Sequence, residues 1–351
     1  MALEVMILKV HEAARLLGVT PRTLRFYEEK GLIHPGKLLE NNYRSYSEHD
    51  LTRLRWIISL RELGISLSSI HEALTSINEP EAFIRTVESA RAHLYEQWIT
   101  ASKALQSLDG TISEWRRSRF PELDQIEHAA EEMKRNRLVR ASWSDQWNYD
   151  GLALQHGFDT PLVSLGGLLS EEQYNDALIN TVEWLDPGMG ELGLELAPGS
   201  GNLSVLLVKA GAKLTAVEQS AEMLAILRGR LPAVEAKLGN MLALPLAAQS
   251  YSFIACTFAM HHLNPDQQLM ALEEMDRVLL PGGRLAVTGI MKLHDEDVDV
   301  LKSAFFKDKI SPTTWHPSLA SSLINWLEGK GYSTMLASLT PVTALLYASK
   351  P

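Results

Sequence analysis

The order of apolar and polar residues along this 351-residue chain predicts two different architectures. Residues 10–75 form short amphipathic patterns separated by glycines, and apolar residues beyond Pro80 follow a heptad spacing that predicts one long helix. From residue 192 onward, short apolar runs alternate with helical patterns, which indicates a parallel sheet with crossover helices. We therefore expect a helical first part followed by an α/β domain.

The best-defined unit of the second part is a strand, a turn and a helix. The pattern predicts a buried strand over residues 192–196, a tight turn at Gly199-Ser200-Gly201 and a helix over residues 203–210. Such a turn brings backbone N–H groups to the carboxyl end of a strand, where open α/β sheets bind nucleotides. The next predicted strand ends at Glu218, whose carboxylate can accept both hydroxyls of a ribose. The pattern indicates a nucleoside-containing cofactor, and an ordinary tight turn is the alternative.

Two cofactors compete for this turn. A dinucleotide fingerprint requires a third glycine three residues after Gly201, and Ser204 stands there instead. Glu195, four positions before Gly199, favours a positively charged ligand that carries an amine and a sulfonium. The segment resembles the first motif of the class I S-adenosylmethionine-dependent methyltransferases, Asp/Glu-x-Gly-x-Gly-x-Gly, with Ala197 in place of the first glycine.

The charge is uneven along the chain, whose formal net charge is -10. Residues 146–351 hold 13 Lys and Arg against 22 Asp and Glu, whereas residues 15–61 hold nine basic and five acidic side chains. Because an acidic surface repels phosphate, we expect nucleic acid to meet only the N-terminal part. The single cysteine, Cys256, excludes an internal disulfide and a cysteine-rich metal site. Acidic residues 295–299 lack the spacing of a calcium loop, so we predict a solvated helix start and no metal.

The first residues show no basic region followed by an apolar stretch, and no run approaches the length of a membrane span. We therefore expect a cytoplasmic protein without a cleaved leader.

The first third of the chain predicts a winged helix-turn-helix. A helix over residues 10–17 precedes a second helix that Thr20 caps, with Pro21 at its first position. Residues 36–46 are rich in Asn and Gly, which suits a β-hairpin wing. Ser47 then caps a further helix through a capping box. Two helices joined by a glycine-containing turn are typical of DNA-binding domains.

These segments resemble the MerR family of transcriptional regulators. The second helix reads Thr20-Pro21-Arg22-Thr23-Leu24-Arg25-Phe26-Tyr27-Glu28, against Thr-Pro-x-Thr-Leu-Arg-Tyr-Tyr-Glu in the family. The segments Tyr43-Arg44-Ser45-Tyr46 and Leu63-Gly64-Ile65-Ser66-Leu67 follow in the family's order. The resemblance implies a homodimer that binds double-stranded DNA at a pseudo-palindromic promoter site. The DNA contacts that we predict are Thr20, Arg22, Thr23, Arg25, Tyr27, Tyr43, Arg44 and Tyr46.

Beyond Pro80, seam residues alternate three-residue and four-residue steps over more than four heptads. A seam that long favours pairing of two helices between chains, and a helix packed on its own domain is the alternative. MerR-type proteins are joined by an antiparallel helix of this kind. The seam residues are Ile84, Val87, Arg91, Leu94, Trp98, Ala101, Leu105, Leu108, Ile112 and Trp115.

The second half resembles methyltransferases of the ubiquinone-biosynthesis type over its whole length. Residues 239–245 match Gly-Asp-Ala-x-x-Leu-Pro with Asn240 in place of the aspartate, and residues 260–263 match Leu-His-His-Leu with Met260 in place of the first leucine. A Pro-Gly-Gly turn follows at residues 281–283. The resemblance implies a Rossmann-like α/β fold with a seven-stranded sheet whose last strand is antiparallel.

The same resemblance implies a site for S-adenosyl-L-methionine. The residues that would bind it are Tyr149, Glu195, Ala197, Gly199, Gly201, Glu218, Gln219, Asn240, Met241 and Thr257. His261 or His262 is a candidate general base near the transferring methyl group, and helix-start packing is the alternative. The aromatic segment 143–149 resembles a lid over the cofactor, and packing at the interdomain joint is the alternative.

Two functional hypotheses follow from this organisation. In the first, the C-terminal domain methylates a small molecule, because its acidic charge argues against a nucleic-acid acceptor. In the second, the domain senses S-adenosylmethionine, its demethylated product or another ligand without turnover. The predicted segments are the winged helix-turn-helix (1–78), the dimerisation helix (79–119), a helical linker (120–145) and the methyltransferase-like domain (146–351).

Overall fold

A computed structural model describes residues 7–37, 43–293 and 315–351. The chain divides into two compact units, Met1–Leu94 and Tyr95–Pro351. The acidic stretch 295–299, predicted as a solvated helix start, lies outside the described residues. Within the described ranges, no helix combines the length and the apolar character needed to cross a membrane.

The first unit is mainly helical and carries a small antiparallel sheet. Three short strands pair in the order β1-β3-β2, so the predicted wing is formed by β2 and β3. The strands are β1 (Leu8–Lys9), β2 (Gly36–Lys37) and β3 (Arg44–Tyr46). The helices are α1 (Val10–Leu16), α2 (Pro21–Glu29), α3 (Glu48–Glu62), α4 (Leu67–Thr75) and the first part of α5 (Pro80–Ser118).

The caps predicted for these helices are present. The Thr20 side chain accepts the backbone N–H of Thr23 at 3.1 Å, and Pro21 occupies the first position of α2. Ser47 and Asp50 form the reciprocal capping box of α3, with donor–acceptor distances of 3.2 and 2.9 Å. Each cap satisfies N–H groups that the first turn of a helix leaves unpaired, which explains where these helices begin.

The core of the first unit corrects two of the predicted DNA contacts. Tyr46 is 0% exposed and Tyr27 is 7% exposed, and both belong to the cluster that holds Leu24, Leu51 and Ile57. Within the short strand β3, Tyr46 is buried whereas Arg44 is exposed. Tyr46 is therefore a core residue, and Tyr27 presents too little surface to read DNA.

The second unit is an α/β domain built on one mixed sheet. The seven main strands lie in the order β10-β11-β8-β7-β4-β5-β6, and the two-residue β9 adds an eighth strand beside β8. Strand β11 is antiparallel to both of its neighbours, as predicted for the last strand. The strands are β4 (Leu192–Leu196), β5 (Lys213–Glu218), β6 (Glu235–Leu238), β7 (Tyr251–Thr257), β8 (Leu279–Lys292), β9 (Ser318–Leu319), β10 (Ser333–Thr340) and β11 (Thr343–Ser349).

The sheet has an apolar core on each face. Along β7, Ile254 and Cys256 belong to one core whereas Phe253 and Ala255 belong to the other, because successive strand residues point to opposite faces. Both faces are covered, which explains why the strands read as continuous apolar runs. The helices of this unit after α5 are α6 (Leu123–Ala141), α7 (Tyr149–His156), α8 (Thr160–Ser164), α9 (Glu171–Leu185), α10 (Asn202–Lys209), α11 (Ala221–Arg230), α12 (Pro265–Val278) and α13 (Ala320–Gly329), with short 3₁₀ turns at Gly157–Asp159 and Met260–His262.

Candidate functional site

A cavity opens where the strand order reverses. Strands β5 and β7 lie on opposite sides of β4, and the carboxyl ends of all three strands reach the cavity wall. Its empty volume is about 840 Å³, including the opening to solvent. In open parallel sheets this crevice is the usual place for a ligand. The lining residues are Trp143, Trp147, Tyr149, Pro161, Ser164, Ala197, Pro198, Gly199, Val217, Glu218, Gln219, Met223, Gly239, Asn240, Met241, Thr257, Phe258, Ala259, His262 and Leu263.

The turn after β4 has left-handed backbone at three predicted positions. The φ angles are 50° at Ala197, 58° at Gly199 and 87° at Gly201. Ala197 and Gly199 line the cavity, whereas Gly201 is outside its wall and begins α10. A Cβ atom at Gly201 would lie 2.5 Å from the Leu227 side chain, so this glycine permits close packing of α10 and α11. The structure therefore gives Gly201 a packing role in place of the predicted direct contact.

Glu195 also lies outside the cavity wall, which corrects its predicted role as a direct partner of a cationic ligand. Its side chain is 1% exposed, and its Oε2 accepts the Ser204 hydroxyl at 2.5 Å. Burial raises the pKa of Glu195 to about 8, because the charged form loses its hydration. Ser204 thus occupies the position of the missing third glycine and supplies the hydrogen bond of this buried carboxyl group.

Glu218 ends β5 and reaches the cavity wall, as predicted. One carboxylate oxygen accepts the N–H of Gly199 at 3.0 Å, and the other accepts those of Gln219 and Ser220 at 2.8 and 2.9 Å. A carboxylate offers about four acceptor positions, so about one remains for a ligand hydroxyl. A contact with both hydroxyls of a ribose therefore requires the N–H of Gly199 to leave the carboxylate.

Asn240 lies in the same wall, just after β6, the strand that pairs with β5. Its amide oxygen accepts the N–H of Leu242 at 2.8 Å, and its amide nitrogen donates to Gln219 Oε1 at 3.2 Å. The amide oxygen keeps a second lone pair with which it can accept a hydrogen bond from a base. Met223 and Met241 add apolar surface beside it.

The aromatic segment between α6 and α7 forms one side of the cavity. The Asp145 carboxylate accepts the backbone N–H groups of Trp147, Asn148 and Tyr149 at 2.9, 3.0 and 2.9 Å, which sets the direction of this segment. At the other end, Asp150 accepts the Ser220 hydroxyl at 2.6 Å. The side chains of Trp147 and Tyr149 both line the cavity, as expected of a covering segment.

The two histidines after β7 have different positions. His262 lines the cavity, and its Nε2 lies 2.6 Å from the Tyr149 hydroxyl. His261 is outside the wall, 1% exposed, with its ring packed between those of His262 and Trp315 at 4.0 and 4.6 Å. Burial lowers the pKa of His262 to about 3, and burial together with the neighbouring His262 lowers the pKa of His261 well below its ordinary value. Of the two predicted bases, only His262 can reach a ligand.

The wall residues fit S-adenosylmethionine. Glu218 is the one carboxylate of the described wall and is positioned for a hydroxyl, while Val217, Met223 and Met241 are apolar and suit a flat ring. No Lys or Arg side chain belongs to the described wall, so nothing there opposes a sulfonium cation. When bound, this group would supply an electrophilic methyl group. Among the described residues, no three His, Cys, Asp or Glu side chains form a group that could hold a metal ion.

Sequence reasoning missed several residues of the wall. Pro161 and Ser164 come from α8, and Met223 comes from α11, so they reach the cavity from elements outside the recognised motifs. Phe258 had a usable signal, because it lies at the end of an apolar run, and in the structure it directly follows β7, which ends at Thr257. Its φ angle of 51° turns the chain toward the 3₁₀ turn at Met260–His262.

The first unit presents a separate candidate nucleic-acid interface. Arg22 and Arg25 are exposed on α2, as a recognition helix requires. Arg44 of the wing is also exposed, and its Nε donates to Glu28 of α2 at 2.5 Å, which joins the wing to the helix. Tyr43 is 66% exposed on the same wing. Thr20 and Thr23 bond to each other and mainly cap α2.

Comparisons with known proteins agree with this division. Residues 8–77 match the MerR HTH family regulatory protein, and residues 194–283 match a methyltransferase domain. The transcriptional regulator CueR of Vibrio cholerae is 35% identical over 101 residues, which cover 29% of this chain and 70% of CueR. A ZntR homologue of Haemophilus influenzae is 44% identical over 71 residues, which cover 20% of this chain and 53% of that protein.

The second half has relatives of its own. An uncharacterized methyltransferase of Mycobacterium bovis is 37% identical over 106 residues, which cover 30% of this chain and 42% of that protein. The chain therefore spans less than half of that relative. Among solved structures, magnesium protoporphyrin IX methyltransferase of Synechocystis PCC 6803 is 17% identical, with a TM-score of 0.43, over 51% of this chain and 84% of that one.

Proposed function

Because this chain belongs to the MerR family and joins that regulator domain to a methyltransferase domain, we propose that it is a DNA-binding regulator that methylates a small molecule. The methyl donor in this proposal is S-adenosylmethionine. The observation that carries the proposal is the cavity at the ends of β4, β5 and β7, with Glu218 and Asn240 both in its wall.

Methyl transfer from a sulfonium requires alignment and exclusion of water more than a covalent catalyst. The cavity supplies both, since Trp143 and Trp147 cover one side and apolar side chains form much of the remainder. A small acceptor fits the domain better than a nucleic acid, because the second half of the chain is acidic.

The DNA-binding half of the proposal rests on α2 and the wing. Exposed Arg22 and Arg25 near the start of α2 suit base edges or phosphates, and exposed Arg44 suits the backbone. We infer that two copies of the chain pair through the seam of α5, because its residues Trp98, Leu105 and Leu108 are 47, 62 and 44% exposed in the single chain.

Calorimetric titration with S-adenosylmethionine tests the proposal first, after copurified cofactor has been removed. We expect micromolar binding, and loss of at least tenfold in affinity, about 1.4 kcal/mol, in Glu218→Ala. Glu183→Ala, on the exposed face of α9, is the matched control and should bind like the wild type. Equal affinity in Glu218→Ala would refute the cofactor assignment.

Transfer of labelled methyl groups to a panel of small acceptors then separates enzyme from sensor. The left-handed Ala197, where a methyltransferase motif has glycine, favours the sensor alternative because it alters the turn beside the cofactor. Binding with transfer to an acceptor would establish the enzyme. Binding without any transfer would make the domain a ligand sensor.

A further inference from the structure

Two side chains of the cavity wall, Tyr149 and His262, meet in a hydrogen bond. The Tyr149 hydroxyl, from the first residue of α7, lies 2.6 Å from Nε2 of His262 in the 3₁₀ turn after β7. Both side chains line the cavity. The ring of Trp147 meets that of His262 edge-on at 4.3 Å, so the imidazole is held from two directions.

The protonation states of this pair suit proton transfer. Burial lowers the pKa of His262 to about 3, so its imidazole is neutral at pH 7 and one ring nitrogen can accept a proton. Burial raises the pKa of Tyr149, so its phenol keeps its hydrogen. Nδ1 of His262 is buried and has no hydrogen-bond partner among the described residues.

The other titratable side chain of the described wall, Glu218, has about one free acceptor position, which the proposed function assigns to a cofactor hydroxyl. Tyr149, Glu218 and His262 are the titratable groups among the described lining residues, and Glu218 accepts three backbone N–H groups. His261 lies behind His262 and outside the wall. The Tyr149 and His262 pair is therefore the place where this part of the cavity can take up a proton.

We propose that Tyr149 and His262 form a catalytic pair that removes the proton of a phenolic acceptor as the acceptor oxygen receives the methyl group. This inference rests on the proposed methyltransferase function. As the oxygen–carbon bond forms, the carbon–sulfur bond breaks and sulfur keeps its electron pair. The phenolic proton passes to the Tyr149 oxygen, and the Tyr149 proton passes to Nε2 of His262, in the tautomer with hydrogen on Nδ1.

Charge balance allows the weakly basic imidazole of His262 to accept a proton during methyl transfer. The cavity loses the positive charge of the sulfonium at the moment when the imidazole gains one, so the total charge in the cavity does not change. Moving a charge over a short distance inside a desolvated site avoids the larger cost of creating a new one there. Before transfer, the sulfonium keeps His262 unprotonated and ready to accept.

The character of the wall favours a phenol as acceptor. Trp147 and Phe258 offer aromatic surface on which a flat ring can pack. The described wall has no Lys or Arg to hold a carboxylate or a phosphate. A phenol has a pKa near 10 and is mostly protonated at neutral pH, so it needs a proton acceptor in order to react fast.

Two probe acceptors of similar size test the pair, namely 4-methylphenol, which stays protonated at pH 7.5, and 4-nitrophenol, which is largely ionised. Methyl transfer from labelled S-adenosylmethionine is measured in the full-length protein and in Tyr149→Phe and His262→Gln. We expect each variant to lose about 100-fold in kcat on 4-methylphenol and under tenfold on 4-nitrophenol. Tyr347→Phe, a matched change on β11 beside Trp184, should keep the wild-type rate on both.

Calorimetry supplies the readout that does not depend on turnover. Tyr149→Phe should bind S-adenosylmethionine within about twofold of the wild type, because the pair acts on the acceptor. Equal losses of rate on both phenols, or a tenfold loss of cofactor affinity, would make Tyr149 a cofactor contact and overturn the inference. A wild type that binds the cofactor but methylates neither phenol would also overturn it. Absence of cofactor binding in the wild type would instead refute the proposed function.

Discussion

Ala197 holds a left-handed backbone conformation at the wall of the cavity, with φ of 50°. A left-handed residue with a Cβ atom costs about 1–2 kcal/mol, because that atom approaches the following carbonyl oxygen. We expect Ala197→Gly to raise the free energy of unfolding by about 0.5–1 kcal/mol, after subtraction of the lost packing of a half-buried methyl group. Urea denaturation at pH 7 measures the difference.

The control for this change is Ala255→Gly, in the middle of β7 and fully buried. Glycine there removes a packed methyl group without relieving strain, so this variant should be less stable than the wild type. A lower stability of Ala197→Gly than of the wild type would show that the left-handed alanine is not strained.

Glu195 makes stability depend on pH. Its pKa is about 8 in the folded chain because of burial, whereas the unfolded chain ionises it near its ordinary value of 4.5. Between these two values the unfolded state binds fewer protons than the folded state, so stability falls as pH rises. We expect Glu195→Gln to gain stability over the wild type as pH rises from 5 to 8, by at most about 1.4 kcal/mol per pH unit.

Urea denaturation at pH 5, 6.5 and 8 measures this trend, with exposed Glu183→Gln as the matched control. The control should differ from the wild type by the same amount at all three pH values. A constant difference for Glu195→Gln as well would mean that the folded protein ionises Glu195 near its ordinary pKa.

At the scale of elements, the predicted seam of α5 is left largely uncovered in the single chain. Leu105 is 62% exposed and Ile112 is 39% exposed, whereas Ile99 on a different face of the same helix is 1% exposed. One face of α5 thus packs within the chain, and the seam face remains available to a second copy.

We expect the double change Leu105→Glu and Ile112→Glu to weaken self-association by at least tenfold, since paired seams would then bury unpaired charges. Sedimentation over a concentration series measures the monomer fraction. Gln106→Glu adds the same charge at an exposed position next to the seam and should leave the dimer unchanged. A dimer that survives the double change would place the contact elsewhere.

At the scale of the whole molecule, the two proposed binding functions belong to two compact units. Arg25→Ala should weaken binding to a selected duplex by tenfold or more, because a base-edge contact is worth about 1–3 kcal/mol. The same variant should bind S-adenosylmethionine like the wild type. Glu218→Ala should lose cofactor affinity, and without cofactor it should bind the duplex normally.

Fluorescence anisotropy measures DNA binding, on duplexes that the purified protein has selected from a random pool. The selected sequences should contain two inverted half-sites about one helical turn apart, as a dimer with two recognition helices requires. Arg116→Ala, exposed at the end of α5, is the matched control for lost charge. Equal DNA affinity in Arg25→Ala would place the recognition surface elsewhere.

The ends of several helices and strands could be predicted from the sequence alone. Thr20 and Ser47 cap the helices that they were expected to cap, and the strand that ends at Glu218 stops where predicted. A helix cap depends on neighbours within a few residues, and an apolar face depends on a repeat of 2 residues in a strand or 3.6 residues in a helix. Both features can therefore be predicted from one sequence. The antiparallel last strand was predicted from the family resemblance, since apolar alternation alone leaves the pairing of strands open.

The tertiary structure decided the contacts between residues far apart in the chain. It brings Tyr149 into hydrogen-bond contact with His262, 113 positions away in the chain. It also buries Tyr46, which the MerR-like motif predicted as a DNA contact. It also places Glu195 behind the cavity wall against Ser204. Residue type and periodicity indicate that a side chain is buried or near a strand end, but the partner depends on how complete elements pack. For this reason the strand–turn–helix motif predicts where the cavity lies, whereas the packing of complete elements determines which side chains line it.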